Sequence, residues 1–280
     1  MTWFDETLHE GYHQRLEVTR VIFEQKTDHQ HLIIFENPFF GRVLALDGIV
    51  QTTERDEFFY HEMLAHVPML AHGAAREVLI IGGGDGGLLR EVLRHPVEQA
   101  TLVELDRTVI DLCTQHLPAL SRGAFEDSRA RVAIGDGFKF VAETDKKFDV
   151  IIVDSTDPIG PGEILFTENF YRECKHCLTA GGILVTQNGV PFFQSAELAT
   201  TWKRLKPLFD DVGFYTVSVP TYVGGVMTLG WATDDPALRR LSVDTLAARF
   251  VALHMDTRYY TPQIHTAAFA LPGYISALLE

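Results

Sequence analysis

The chain is short of cysteine, of cations and of long apolar runs, and each shortage closes off a class of function. Three cysteines in 280 residues cannot build a disulfide framework, which fits a reducing cytoplasm. No stretch approaches about 18 uninterrupted apolar residues, so no membrane span is expected. The opening residues, MTWFDETLHE, hold no basic region followed by an apolar run, so no secretory leader is expected. Lys and Arg number 24 against 38 Asp and Glu, a formal net charge of −14. That balance argues against nucleic acid or an anionic membrane as partner. It is compatible with cationic ligands, although solubility alone also accounts for it. There is no low-complexity tract, no internal repeat and no G-x-S-x-G nucleophile motif.

What is present has the composition of a globular chain with ample core, enough for one large α/β domain with a small addition. Residues 14–53 read as short strands, including HLIIFEN and GRVLALDGIVQTT. Asp47-Gly48 between two apolar runs is a hairpin signal. From Glu54, ERDEFFYHEMLAHVPML has apolar positions at helical spacing and acids in its first turn, so it reads as a helix. After Ala75 strands and helices alternate. The expected strands are 77–81, 100–105, 131–134, 148–153, 182–187 and 215–219, with helices at 87–95, 107–117, 137–144, 167–178 and 195–209. Apolar strands alternating with amphipathic helices imply a mostly parallel, doubly wound sheet covered on both faces. A further strand, 226–233, is close enough to pair antiparallel with 215–219. The boundary falls near 65–75: an N-terminal β-strand domain over 1–65 and a Rossmann-like catalytic domain over 66–280.

The stretch IIGGGDGGLLREVLRH puts glycines between a buried strand and a helix. Gly82, Gly84 and Gly87 fit G-x-G-x-x-G, and Glu104 closes the next strand at the distance where an acid accepts hydrogen bonds from ribose hydroxyls. Five glycines in six positions are an entropic liability unless something needs the space. Asp85 narrows the choice of adenosine ligand. A dinucleotide would place its pyrophosphate at this helix N-terminus. Like charges 4 Å apart repel by ~4 kcal/mol at an effective dielectric near 20. A cation is attracted instead, which points to a sulfonium: S-adenosylmethionine or a derivative. Asp136 and Gly137, after the third strand, lie where such folds contact the adenine edge. An Asp capping the helix that starts at Gly137 accounts for them equally well.

The fourth strand runs into VDSTDPIGPG. Asp85, Glu104, Asp136, Asp154 and Asp157 all lie at or just past strand ends, where open α/β sheets bind ligands, with no lysine or arginine among them. Either a metal or a cationic substrate belongs there. The acids come from separate strand ends and form no compact ligand motif such as an EF-hand loop.

Taken together, IIGGGDGG, VELD, GDG, DSTDPIGPGEILF, LDGIVQTTERDEFFYHEML and PTYVGG resemble spermidine synthase, an aminopropyltransferase family. The resemblance runs from about residue 6 to the C-terminus and includes RYYTPQIHTAAFALP. It implies a small β-domain before a methyltransferase-like Rossmann body, and a homodimer or homotetramer. The implied reaction moves the aminopropyl group of decarboxylated S-adenosylmethionine to putrescine, giving spermidine and methylthioadenosine, with the donor as co-substrate and no cofactor or metal. By matching motifs, Gln30, Gln51, Glu104, Asp136, Gly137 and Pro161 should hold the nucleoside. Asp85 should bind the aminopropyl ammonium; Tyr60, His61, Asp157 and Tyr222 should line the polyamine channel. Asp154 should accept the proton. An Asp near pKa 3.9 is too weak to strip an amine near 10.4 outright, so Asp154 must be raised, act late or relay to water.

Other readings are weaker. A methyltransferase using intact S-adenosylmethionine has no need of Asp154 with Asp157, a nicotinamide enzyme would not place Asp85 at its pyrophosphate, and a polyamine-binding protein has no need of Asp154. HEMLAH, 61–66, is one residue too long for a zincin H-E-x-x-H, and Cys174 and Cys177 fall late in a helix, as structural thiols do. By themselves Tyr60, Tyr222, Gln30 and His61 read as packing residues.

Overall fold

The computed structural model describes residues 2–27, 30–158 and 160–280, apart from the side chains of residues 160 and 161. A hairpin of β1 (Thr2–Asp5) and β2 (Arg15–Val18) leads into an antiparallel sheet. Its strands, in chain order, are β3 (Arg20–Lys26), β4 (His31–Asn37), β5 (Gly41–Leu46) and β6 (Ile49–Thr53). Asp47 and Gly48 join the last two with φ of 48° and 81°. Both are left-handed, as a type I′ turn requires, and Asp-Gly tolerates that conformation best.

Helix α1 (Glu57–His72) follows, then the alternating body. Its elements are β7 (Glu77–Gly82), α2 (Gly87–Leu93), β8 (Gln99–Glu104), α3 (Arg107–His116), α4 (Pro118–Ser121), β9 (Ala130–Ile134) and α5 (Gly137–Glu143). β10 (Phe148–Asp154), α6 (Glu168–Cys177), β11 (Leu178–Gln187), α7 (Ser195–Leu205), β12 (Asp211–Val217) and β13 (Met227–Thr233) complete the sheet. The chain ends in α8 (Val243–Ala252), α9 (Pro262–Ala268) and α10 (Gly273–Ser276).

The sheet order is β12-β13-β11-β10-β7-β8-β9, parallel from β11 to β9, with β13 antiparallel to both of its neighbours. The apolar strands serve two cores at once. Val78 and Ile80 with Val150 and Ile152 face one side, while Leu79 and Ile81 with Ile151 and Val153 face the other. Such strands must be apolar throughout, because neither face meets water. Leu32, Ile34 and Leu44 of the small sheet pack on Val109, Leu112 and Cys113 of α3, joining the two domains.

The domain division and several element ends differ from the sequence reading; β11 begins at Leu178 against an expected 182, and α7 ends at Leu205 against 209. The division placed at 65/66 falls inside α1, whose length is buried against α2, β10 and β11. By packing, α1 belongs to the large domain, and the small sheet ends at Thr53. Strand β12 begins at Asp211, ahead of the expected 215. A charged residue can lie in that buried strand because Arg239 Nε donates to Asp211 Oδ2 at 2.8 Å and the Trp231 indole donates to the same oxygen at 3.1 Å. The C-terminal helices had no counterpart in the sequence reading. They are tied to α1 through Glu62, whose carboxylate accepts the backbone N–H groups of Arg258, Tyr259 and Tyr260, each at 2.8 Å.

Candidate active site

β7 lies between β8 and β10, so the chain leaves it toward one edge of the sheet and returns to its other side. That switch point opens a crevice beyond the strand ends. The glycine loop lies directly on the end of β10. Gly82 has φ 85°, and a Cβ there would run into the Asp154 carbonyl, which also accepts the Gly83 N–H at 3.0 Å. At Gly87 a Cβ would occupy the space of the His61 ring, so glycine lets α1 lie against the start of α2.

The crevice is a cavity of about 410 Å³. The small domain contributes Gln30 and Gln51, α1 contributes Tyr60 and His61, and the loop before β13 contributes Tyr222. The strand ends contribute Asp85, Glu104, Asp136, Gly137, Asp154 and Asp157. The structure thus gathers these sequence-chosen residues around one space; the side chain of Pro161 lies outside what is described.

Tyr60 and His61 follow Glu57 at i+3 and i+4, so the three side chains share one face of α1. Tyr60 Oη donates to Asp154 Oδ1 at 2.6 Å. Burial pushes the Tyr60 phenol well above its ordinary value, reinforced by the Asp154 charge, so it remains a donor. Burial also pushes the Asp154 carboxyl up, to about 6; Asp85 adds to the rise, while His61 and the Tyr60 hydrogen bond oppose it. Asp154 is therefore a carboxylate at neutral pH, and a stronger base than a free one.

Asp85 accepts the Gly87 N–H at 2.7 Å, which fixes it at the start of α2, and its other oxygen lies 3.5 Å from His61 Nε2. Glu104 is pushed up to about 7 by burial, against the hydrogen bonds it accepts from the backbone N–H groups of Asp106 and Leu105. Its carboxylate lies against Gly84, where a Cβ would crowd it. Asp157 is raised by burial and held by Gln194, whose Nε2 donates to Oδ1 at 3.0 Å. Asp136 is a helix cap, its Oδ1 accepting from the N–H groups of Phe138 at 2.8 Å and Lys139 at 3.2 Å, and it lines the cavity as well. The two accounts offered by the sequence are compatible. Tyr222 donates to the Gln51 carbonyl, closing the cavity between the domains.

Several contributors were not foreseen. Glu57 Oε2 lies 2.7 Å from His61 Nδ1, and Arg90 Nη2 donates to that same oxygen at 2.9 Å. The i, i+4 spacing of Glu57 and His61 was a usable signal; Arg90, 33 residues on, gave none. Gln187 and Gln194 line the Asp157 end, with Glu6 and His9 of the small domain. The decoys resolve as core. His66 pairs with Glu91 at 3.0 Å, and Cys174 and Cys177 are buried thiols whose pKa values burial raises. Among the described residues no group of three or more His, Cys, Asp or Glu side chains is arranged to hold a metal ion, and no helix is long and apolar enough to cross a membrane.

Comparison with known proteins follows the same outline. The family model "Spermine/spermidine synthase domain" matches residues 57–242, and "Spermidine synthase tetramerisation domain" matches 2–54. A polyamine aminopropyltransferase of Pseudomonas syringae pv. tomato is 58% identical over 276 residues, covering 98% of this chain and 96% of the relative. One from Escherichia coli O1:K1 is 57% identical over 275 residues, with the same coverage. A crystal structure of spermidine synthase in complex with the transition-state analogue AdoDATO superposes with a TM-score of 0.94 at 39% identity, covering 99% of this chain and 94% of that one. The spermidine synthase of Thermotoga maritima gives 0.91 at 37%, again covering 99% and 94%. The glycine loop with its aspartate, the aspartate pair after β10 and these similarities over nearly the whole chain agree: the chain belongs to the spermine/spermidine synthase family of polyamine aminopropyltransferases.

Proposed function

We propose that this enzyme transfers the aminopropyl group of decarboxylated S-adenosylmethionine to putrescine, with Asp154 as proton acceptor. The observation that carries the assignment is Asp154 itself: a half-buried carboxylate at the switch point, one oxygen held by Tyr60, the other beside the glycine loop that presents Asp85. Decarboxylation of the donor matters in such a place. Its aminopropyl end is a plain cation, suited to Asp85, whereas intact S-adenosylmethionine would bring a carboxylate among the acids.

The donor's sulfur leaves as a neutral thioether, so no general acid is needed. The acceptor must lose a proton before its nitrogen can attack. Lifting the carboxyl from a free value near 3.9 to about 6 narrows its gap to an amine by about 3 kcal/mol, at 1.36 per pH unit. A positioned base supplies roughly 10²–10⁴-fold in rate. On this reading Glu104, Asp136, Gly137, Gln30, Gln51 and Pro161 hold the nucleoside, and Asp157, His61, Tyr60 and Tyr222 line the path of the amine. The donor is consumed as a co-substrate, and no separate cofactor takes part. The enzyme works in the cytoplasm as a homo-oligomer, a dimer or tetramer built through residues 2–54.

The test is product analysis with purified protein. Decarboxylated donor and putrescine should yield spermidine and methylthioadenosine; intact S-adenosylmethionine should yield neither. Methylated putrescine from the intact donor would overturn the assignment. A panel of diamines, including cadaverine and agmatine, then defines the acceptor.

A further inference from the structure

His61 is 2% exposed, and its ring is fixed on both sides. Nδ1 lies 2.7 Å from Glu57 Oε2 and Nε2 lies 3.5 Å from Asp85 Oδ2. The missing Cβ of Gly87 leaves room for the ring and for nothing more. With a carboxylate facing each nitrogen, the form that satisfies both is the imidazolium, which donates from both. The groups around it are Glu57 and Tyr60 on its own helix, Asp85 on the glycine loop, Arg90 on α2 and Asp154 on β10. Tyr222 lies beyond Tyr60, and Glu104 and Cys113 lie beyond Asp85. Burial opposes the charge on His61, but Asp85 and Glu57 override it and lift its pKa to about 10.

If Asp85 receives the donor's ammonium, as the proposed function has it, two cations meet at one carboxylate. We propose that His61 is a resident cation that the donor's ammonium replaces at Asp85, and that the imidazolium proton leaves to solvent as the donor binds. At the carboxylate the exchange is one for one: the ammonium takes the place of the imidazolium beside Asp85 Oδ2, and loss of the Nε2 proton leaves a neutral ring whose Nδ1–H still donates to Glu57. The balance is one dication bound and one proton released, with no bond made or broken in the ligand. Methylthioadenosine is neutral and gives His61 no reason to discharge. His61 is on this account a positioning residue: it keeps Asp85 and the empty cavity from standing uncompensated, and it withdraws its charge when substrate arrives.

The experiment is calorimetric titration of the whole protein with decarboxylated S-adenosylmethionine at pH 8, in two buffers of different ionisation heat. Close to one proton should be released per donor bound, and none with methylthioadenosine. Donor affinity should climb about tenfold per pH unit from pH 7 to 9, as one-proton linkage requires. His61→Gln should bind donor at pH 8 without that proton release and should lose the tenfold climb per pH unit between 8 and 9, keeping only the smaller rise through 7 that Glu104 gives to any nucleoside. Donor binding by the unaltered protein without proton release overturns the inference, and that measurement needs no variant to fold. So does proton release that persists in His61→Gln. If the donor does not bind at all while methylthioadenosine does, the assignment of Asp85, and with it the proposed function, is what fails.

Discussion

Tyr60→Phe isolates the hydrogen bond that tunes the proposed base. The substitution removes one oxygen, leaves the ring in its place beside Tyr222 and takes away the 2.6 Å donor to Asp154 Oδ1. That bond stabilises the carboxylate and lowers its pKa, against the burial that raises it to about 6. A hydrogen bond to a charged group is worth about 1.5–3 kcal/mol, or about 1.1–2.2 pH units. The Asp154 carboxyl of Tyr60→Phe should therefore titrate between about 7 and 8. A base works only when ionised, so the acid limb of kcat/KM should move up by the same amount. At pH 7 the variant should retain between about one half and one fifteenth of wild-type activity, and by pH 9 nearly all of it. The assay is kcat/KM for putrescine at saturating donor from pH 5.5 to 9.5, expressed as the ratio of variant to wild type, so that titration of the amine cancels. A ratio that is constant across pH would refute the reasoning, since it would mean that Tyr60 aligns the amine without setting the basicity of Asp154.

Asp154→Asn should lose roughly 10²–10⁴ in kcat and recover in part toward pH 9.5, where more amine arrives neutral. Asp157→Asn should act chiefly on the putrescine KM, because it removes binding shared by ground and transition states; steady-state kinetics of the pair separates the two roles. Glu104→Gln should weaken methylthioadenosine as well as donor, by about 1.5–3 kcal/mol per charge-assisted hydrogen bond lost. Since burial holds Glu104 at about 7 and the ionised form is the better acceptor for ribose hydroxyls, wild-type affinity for methylthioadenosine should rise with pH through 7 and that of Glu104→Gln should not, by calorimetry. Arg90→Met strips a guanidinium from the buried carboxylates of Glu57 and Glu91 and should cost about 3–5 kcal/mol in denaturant unfolding.

The parts legible in the sequence were those encoded locally. A run of glycines between an apolar strand and a helix needs no distant partner to be recognised, and an acid at the end of each strand is placed by the strand itself. Hence the parallel sheet, the hairpin at Asp47-Gly48 and the crevice acids could be read directly. Groups that work through distant partners could not. Gln194 is near Asp157 because the loop that leaves β11 for α7 passes the crevice, and Arg90 is near Glu57 because two helices pack around Gly87. Asp211 lies in β12, ahead of the expected start at 215, because its charge is neutralised from Arg239, 28 residues on. The division at 65/66 falls inside α1 for a related reason: the sequence shows that the stretch is a helix, but not which domain its buried face packs against. The pKa values that make Asp154 a base and Glu104 a near-neutral acid are properties of burial, which no motif spells out.

The cavity is a seam. Glu6, Gln30 and Gln51 reach it from the small sheet, and Gln14 and Gln51 of that domain bond to Thr221 and Tyr222 across the join. The proposed proton acceptor, its tyrosine and the ammonium-binding aspartate all stand on the other side, on a rigid sheet and the helix packed against it. Part of recognition is thereby placed on a separately variable stretch of chain. Substitutions at Glu6 and His9, which line the Asp157 end of the cavity, can remodel the room offered to an amine while Asp154, Tyr60 and Asp85 keep their relative positions. The architecture lets descendants of one ancestor diverge in the amines they accept without reinventing the transfer step.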